Sequence, residues 1–386
     1  MKKKQLPSEI SVIIPARNEN NGVAFLTSLF DDSIEILVNV YIVINASASD
    51  SEQIKQNNQA LYNQLMLLNV EIPSRYKLHL ILHNDLDDKE SGVGLARKIG
   101  MDLAAKHHRA NNQIGVMVCY DADCKAPKGY LRAIYNEFIQ KQLELASIKY
   151  RHPVDSDDHP IVQYELFLRY YSEALRQSGY PFWFQTIGSS MAVLSNIYDK
   201  HGGMNKKKAG EDFYFMHKLM PVCKTDQINS TYNVLSARTS DRVPFGTGKA
   251  MNEAYNSKLK NFYSYQPVIF NELKEFFSFI EQLTDLNELE QCRLKLPNNK
   301  VVMHFNEYDY WKDLEKIKNN CKNTVQFKPR FYQFFNGFKV LKYVHWARDQ
   351  YFTNIVLKEA VCQFLDIEFN KSNNLDLLLR FRSLEE

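Results

Sequence analysis

Four short apolar runs, each followed by a longer amphipathic stretch, constrain the fold of this chain more than any other feature. Residues 10–15, 38–44, 78–82 and 114–120 are nearly continuous in Ile, Val, Leu, Tyr and Met, without the alternation of a strand that faces water on one side. Residues 22–30, 51–68, 93–106 and 129–145 carry helical spacing instead. Strands that are apolar on both faces and separated by helices pack as a mostly parallel sheet covered on both sides, so the expected fold class is α/β. Residues 151–160 then break the pattern with two prolines, two histidines and three aspartates, which reads as a surface loop, with metal ligation as its alternative. A helix over 161–177, a buried strand over 186–194 and a helix over 211–219 are expected next.

From about residue 252 the composition shifts to Asn, Lys, Phe and Tyr with helical spacing, so the expected division is an α/β domain over 1–250 and a helical C-terminal region over 251–386. The aromatics of its basic segment 328–348 (Phe331, Tyr332, Phe334, Phe335, Phe338, Tyr343, Trp346) read as a core face. A peripheral membrane contact through this region is the alternative, and it requires a clear polar face as well.

Composition narrows the partners. Lys plus Arg number 48 against 45 Asp plus Glu, interspersed, so there is no broad basic field and no nucleic acid partner is expected. The six cysteines are scattered and form no C-x-x-C pair, which argues against a zinc ribbon or a disulfide framework and favours reduced thiols. Met1-Lys2-Lys3-Lys4 is followed by Gln5, Pro7, Ser8 and Glu9 where a signal peptide needs an apolar stretch, and no apolar run is long enough to span a bilayer. A cytoplasmic protein is expected, with attachment at the inner face of the membrane as the variant that the aromatic tail leaves open.

The chemistry starts at Asp121-Ala122-Asp123, where the fourth apolar run stops and a turn containing Pro127 and Gly129 begins. Residues two apart on a strand face one side, so both carboxylates converge just past the carboxyl edge of the sheet, where open α/β sheets bind ligands. Oxygen-only ligands suit Mg²⁺ or Mn²⁺, hard ions that share their coordination with substrate phosphates, so a metal-bridged diphosphate is the expected ligand. A lone D-x-D is more often a solvated strand-end turn, so the rest of the chain has to supply the context.

That context is an ordered set of polar strand ends. Val12-Ile13-Ile14-Pro15-Ala16-Arg17-Asn18-Glu19 closes the first strand and Ile42-Val43-Ile44-Asn45-Ala46-Ser47-Ala48-Ser49-Asp50 the second. Gly92-Val93-Gly94-Leu95-Ala96-Arg97-Lys98 opens a helix, and after the D-x-D come Gly188-Ser189-Ser190-Met191-Ala192-Val193, His201-Gly202-Gly203-Met204 and Gly210-Glu211-Asp212. In this order and spacing the set resembles the family-two glycosyltransferases of GT-A fold, over about residues 9 to 250.

The resemblance implies a GT-A-type sheet and metal-dependent transfer of a sugar from a nucleotide diphosphate-sugar donor to a glycan, lipid-linked or small-molecule acceptor. It implies that Asp123 and Asp121 hold Mg²⁺ or Mn²⁺, with Asp121 directed to ribose or metal. Asp212 would be the general base, with Glu211 placing the base or the acceptor, and Pro15, Arg17, Asn18 and Glu19 would meet the nucleotide. Two positions depart from the family pattern: Asn45-Ala46 replaces an acidic pair, so the donor's base meets an amide, and Lys98 stands where Asn is common.

Residue chemistry agrees independently. Arg97 offers a fixed positive charge for a leaving diphosphate, and one carboxylate base opposite the leaving group gives inversion. Residues 236–249, with Arg238, Arg242, Lys249 and Gly246-Thr247-Gly248, read as a loop able to close over phosphates, or as a charged exit loop. Two other functions stay open at this point. A nucleotidyltransferase shares the architecture, but its Gly-rich basic first turn is absent at Pro15-Ala16-Arg17-Asn18-Glu19. A catalytically degenerate sugar-nucleotide binding module is compatible with Asn45 and Ala46.

Overall fold

The structure, a computed structural model, describes residues 5–19, 23–31, 34–68, 72–89, 91–154, 156–157, 159–206, 210–239, 246–257 and 261–385. Seven strands form the main sheet: β1 (Glu9–Ala16), β2 (Leu37–Ser47), β3 (Tyr76–Leu86), β4 (Gly115–Cys119), β5 (Leu145–Arg151), β6 (Met191–Leu194) and β7 (Thr225–Val234). The helices that fall between and around these strands along the chain are α1 (Ala24–Thr27), α2 (Glu52–Leu68), α3 (Val93–Ala110), α4 (Tyr130–Gln140), α5 (Pro160–Gln177), α6 (Ser195–Lys200) and α7 (Glu211–Leu219).

The strand order is β3-β2-β1-β4-β6-β5-β7, with every pairing parallel except those of β6, which runs antiparallel to both β4 and β5. This is an α/β fold built on a mostly parallel sheet flanked by helices. Three of the four apolar runs sit inside the sheet, where both edges are paired: all eight residues of β1 are buried, and Val12 lies in register with Val40 on one side and Val118 on the other, whereas β3 is an edge strand and half-buried. Each Ile or Val buried there contributes about 1.5–3 kcal/mol over its exposed state, so the runs themselves select the sheet's centre.

Two strands of this sheet were not expected. β5 and β7 lack continuous apolar runs, since β5 carries Ser147 and Lys149 and β7 reads Thr-Asp-Gln-Ile-Asn-Ser-Thr-Tyr-Asn-Val. The helix expected to reach residue 145 stops at Gln140, and Gln142 takes a positive φ of 52° that turns the chain into β5. The strand expected over 186–194 is confined to Met191–Leu194, and the helix expected over 22–30 to Ala24–Thr27.

The described residues fall into two compact units, 1–153 with 186–253, and 154–185 with 254–386. The second unit is helical, apart from a short antiparallel pair, Tyr263–Ser264 with Ile355–Val356. The helix α5 belongs to this second unit and packs against Asn374–Leu384. Phe331, Phe335 and Tyr343 are fully buried there and Phe305 stacks edge-on against Phe335 at 4.9 Å, so most of the tail's aromatics build a core, while Phe338 is exposed. Glu165 is buried between Arg169 and Arg382, at 2.8 Å from each. In the segment read as a loop, Asp157 accepts the Leu375 N–H and His159 caps α5, whereas Asp155 and Asp158 lie outside the described residues. Among the described residues no helix is long and apolar enough to cross a membrane.

Candidate functional site

The carboxyl edge of the first unit's sheet gathers most of the polar residues singled out in the sequence. β4 ends at Cys119, yet the Tyr120 N–H still donates to the Ile13 carbonyl at 3.0 Å, so the chain leaves the sheet only at Asp121. The Asp121 carbonyl then accepts the Cys124 N–H at 3.0 Å, closing the turn that carries both aspartates.

Arg97, in the second turn of α3, is 2% exposed and sits between two carboxylates. Its Nη2 donates to Asp121 Oδ1 at 2.9 Å and its Nη1 to Glu211 Oε1. Gly188 makes room for this guanidinium: a Cβ there would lie 2.7 Å from Nη1, so any larger residue pushes Arg97 off its partners. One buried cation thus ties the D-x-D turn to the first turn of α7, where acidic residues are favoured by the helix dipole.

Charge and burial work against each other in this pocket. Burial pushes the Glu211 carboxyl up to about 7 against the pull of Arg97, with Asp212 adding to the rise. Asp212 is also raised above the usual carboxylate range, by burial first, with Arg97 and the Phe213 and Gly188 N–H groups opposing. Its Oδ1 accepts the Phe213 N–H at 2.7 Å. Asp123 rises to about 6, through burial and then the neighbouring charge of Asp121, while Arg238 pulls it down.

Arg238 has an unexpected seat. Its Nε donates to Asp123 Oδ2 at 2.7 Å, and its Nη1 and Nη2 grip Glu19 at 2.7 and 3.0 Å. The residues after it do not all form a loop, since Thr247 already opens the helix Thr247–Ser257. Arg242 lies outside the described residues.

The ends of β1 and β2 are joined by a separate network. Arg17 pairs with Asp50, through Nε at 3.1 Å and through Nη2, and the Ser47 N–H donates to the same carboxylate at 2.8 Å. Asn18 takes φ 52°, a conformation in which Asn is among the better-tolerated residues, and its N–H donates to Asn58 Oδ1 at 2.9 Å. Pro15 is buried in β1 opposite Val43, and Asn45 is buried with its Nδ2 unpartnered among the described residues.

Sequence reasoning missed Asn57 and Asn58 of α2. Asn57 Nδ2 donates to Asn18 Oδ1 at 2.8 Å, and Asn58 Nδ2 to the Asn45 carbonyl and Asn84 Oδ1, each at 3.1 Å. A signal was present: Asn58 shares the inward stripe with Leu61 and Leu65, and a fully buried amide on such a stripe needs partners.

Chemically, the edge offers acidic oxygens of two motifs facing one guanidinium, with a second guanidinium on Asp123. It is an anionic pocket built to hold positive charge, beside half-buried carboxylates basic enough to take a proton.

No family model matches this chain, and no curated protein does. Among solved structures, the chain is similar to S. aureus TarS 1–349 in complex with UDP-GlcNAc, at 13% identity over 76% of this chain and 80% of that one, with a TM-score of 0.40. It is similar also to a longer S. aureus TarS chain, at 15% identity over 59% of this chain and a TM-score of 0.38; there the match spans 37% of the TarS length.

Proposed function

We propose that the first unit is a glycosyltransferase of the family-two type, moving a sugar from a nucleotide diphosphate-sugar donor to a glycan, lipid-linked or small-molecule acceptor. The observation that carries this reading is the bridge made by Arg97, which brings the D-x-D turn and the Glu211-Asp212 pair to one point at the carboxyl edge of the sheet.

The residues fit a hard divalent cation. Asp121 and Asp123 supply only carboxylate oxygens, and crowding by burial and like charge raises Asp123, a strain that a cation relieves. Bound there, Mg²⁺ or Mn²⁺ supplies Lewis-acid stabilisation for the leaving diphosphate. The chain's own groups account for the rest. Arg97 fixes positive charge beside the phosphates, and Arg238 adds a second guanidinium at the same carboxylates. Asp212, raised and half-buried, takes the proton of the acceptor hydroxyl on its carboxylate, and a single base opposite the leaving group inverts the sugar's configuration. Glu211 positions this helix end through Arg97. Pro15, Arg17, Asn18 and Glu19 shape the nucleotide's side of the pocket, and the unpartnered Asn45 amide replaces the family's acidic contact to the base.

Incubation with Mn²⁺ and a panel of uridine, guanosine and thymidine diphosphate-sugars, followed by separation of the products, tests the reaction. Free nucleoside diphosphate is expected. Pyrophosphate would establish nucleotidyl transfer instead, and binding without turnover would leave a binding module. The ionisation of Asp123 gives a further expectation. A carboxylate must lose its proton to hold a metal, so divalent-dependent nucleotide binding should weaken as pH falls through about 6. Calorimetric titration with UDP and Mn²⁺ from pH 5 to 8 checks it, and binding that does not change across that interval would remove Asp123 from the metal.

A further inference from the structure

A second cluster of ligand-type side chains lies at the other, amino edge of the same sheet, where β1 begins and α3 ends. Glu9 Oε2 stands 3.3 Å from His107 Nε2 and 4.0 Å from His108 Nδ1, and the three ligand atoms lie within 4.8 Å of one another. Ligand atoms on a tetrahedral ion with bonds of ~2.0 Å sit about 3.3 Å apart, so these groups need only short side-chain rotations to close on one.

The details of His108 point the same way. Its ring is fully buried, and its Nε2 lies 2.9 Å from Ser11 Oγ, while its Nδ1 has no partner among the described residues. With Nε2 donating to Ser11, Nδ1 presents a lone pair toward a carboxylate, an arrangement that repels unless a cation lies between. With Nδ1 protonated instead, 4.0 Å is too long for a hydrogen bond.

The ring is held in place by the backbone. Gly115, the register partner of Glu9 on β4, faces it so closely that a Cβ there would lie 2.1 Å from the ring, so only glycine lets His108 reach across the strand. An outer layer completes the arrangement: Asn39 Nδ2 donates to Glu9 Oε2 at 2.9 Å, and Asn39 Oδ1 meets His79 Nε2 at 3.0 Å. Fixing a ligating carboxylate through such a contact is what outer partners of metal sites do.

We propose that Glu9, His107 and His108 form a transition-metal site of the zinc class, distinct from the carboxylate pocket at the opposite edge. Two imidazoles and one carboxylate select Zn²⁺ over Mg²⁺, which prefers oxygen alone, and the fourth position is left to water. The ion would clasp the end of α3 to the start of β1, steadying the helix whose other end carries Arg97.

The test is calorimetric titration of the full chain, stripped with a chelator, with Zn²⁺. One Zn²⁺ per chain is expected at this site, retained in Asp123→Asn, lost in His107→Gln and in Glu9→Gln, and weakened about 10- to 100-fold in Asn39→Ala. His107 is 30% exposed, so its replacement leaves the core intact, and an unchanged circular dichroism spectrum confirms that. Zn²⁺ should also raise the melting temperature of the wild type and not of His107→Gln. Zn²⁺ binding of wild-type strength in both ligand variants, or no Zn²⁺ bound by the wild type at Glu9, overturns the site. Neither outcome touches the sugar-transfer reading, which rests on Asp121, Asp123 and Asp212.

Discussion

Replacing Arg97 with leucine is expected to lower the stability of the protein by about 3–5 kcal/mol, because it leaves the buried Glu211 without its counter-charge. The loss should depend on pH, and its sign follows from linkage. The Glu211 carboxyl lies above its unfolded value, ~4.3, so its contribution is fully present below that pH and is lost as pH rises through about 7 in the wild type. Without Arg97 its folded value climbs further and the loss continues to higher pH. The gap between wild type and variant should therefore widen above about pH 7, which urea unfolding at pH 5 and pH 8.5 will measure. Adding Glu211→Gln to the variant should recover part of the alkaline loss. If the double variant recovers nothing, Arg97 does not act through Glu211.

The second large effect concerns chemistry rather than folding. Asp212→Asn keeps the shape of the side chain and its acceptor oxygen toward the Phe213 N–H, so donor binding should stay near the wild-type value. Turnover should fall about 10²- to 10⁴-fold, the range lost when a general base is removed. In the wild type at saturating donor and metal, the rate should fall toward acid as the raised Asp212 carboxyl takes up its proton, and the residual activity of the variant should keep only the part of this limb that comes from loss of the metal. Steady-state rates from pH 5 to 9 separate the outcomes. Wild-type turnover in Asp212→Asn would place the base elsewhere.

How much of this was legible in the sequence depended on where each element sits. β1, β2 and β4 announce themselves because both of their faces are buried, which forces unbroken apolar runs. β5 and β7 lie toward the margin of the sheet and carry Ser147, Lys149, Asn229 and Ser230 among their apolar residues, so no periodicity marks them. The D-x-D and Glu-Asp motifs could be read as candidates, since each follows a recognisable element. Their meeting through Arg97 could not, because it joins α3, the turn after β4 and the start of α7 beside Gly188, elements far apart along the chain. The seat of Arg238 on Glu19 and Asp123, and the meeting of Glu9 with His107 and His108, were hidden for the same reason: each joins residues far apart in the chain, and local pattern does not encode distance in space.

The grip of Arg238 on Asp123 and Glu19 sets the terms on which this pocket accepts anything. A cation of the protein's own already sits at those oxygens. On the proposed function, a dication held by Asp123 would have to displace this guanidinium, so the metal itself would add one unit of positive charge at that carboxylate rather than two. The metal affinity would then be that of an exchange, and shortening Arg238 would be expected to tighten it.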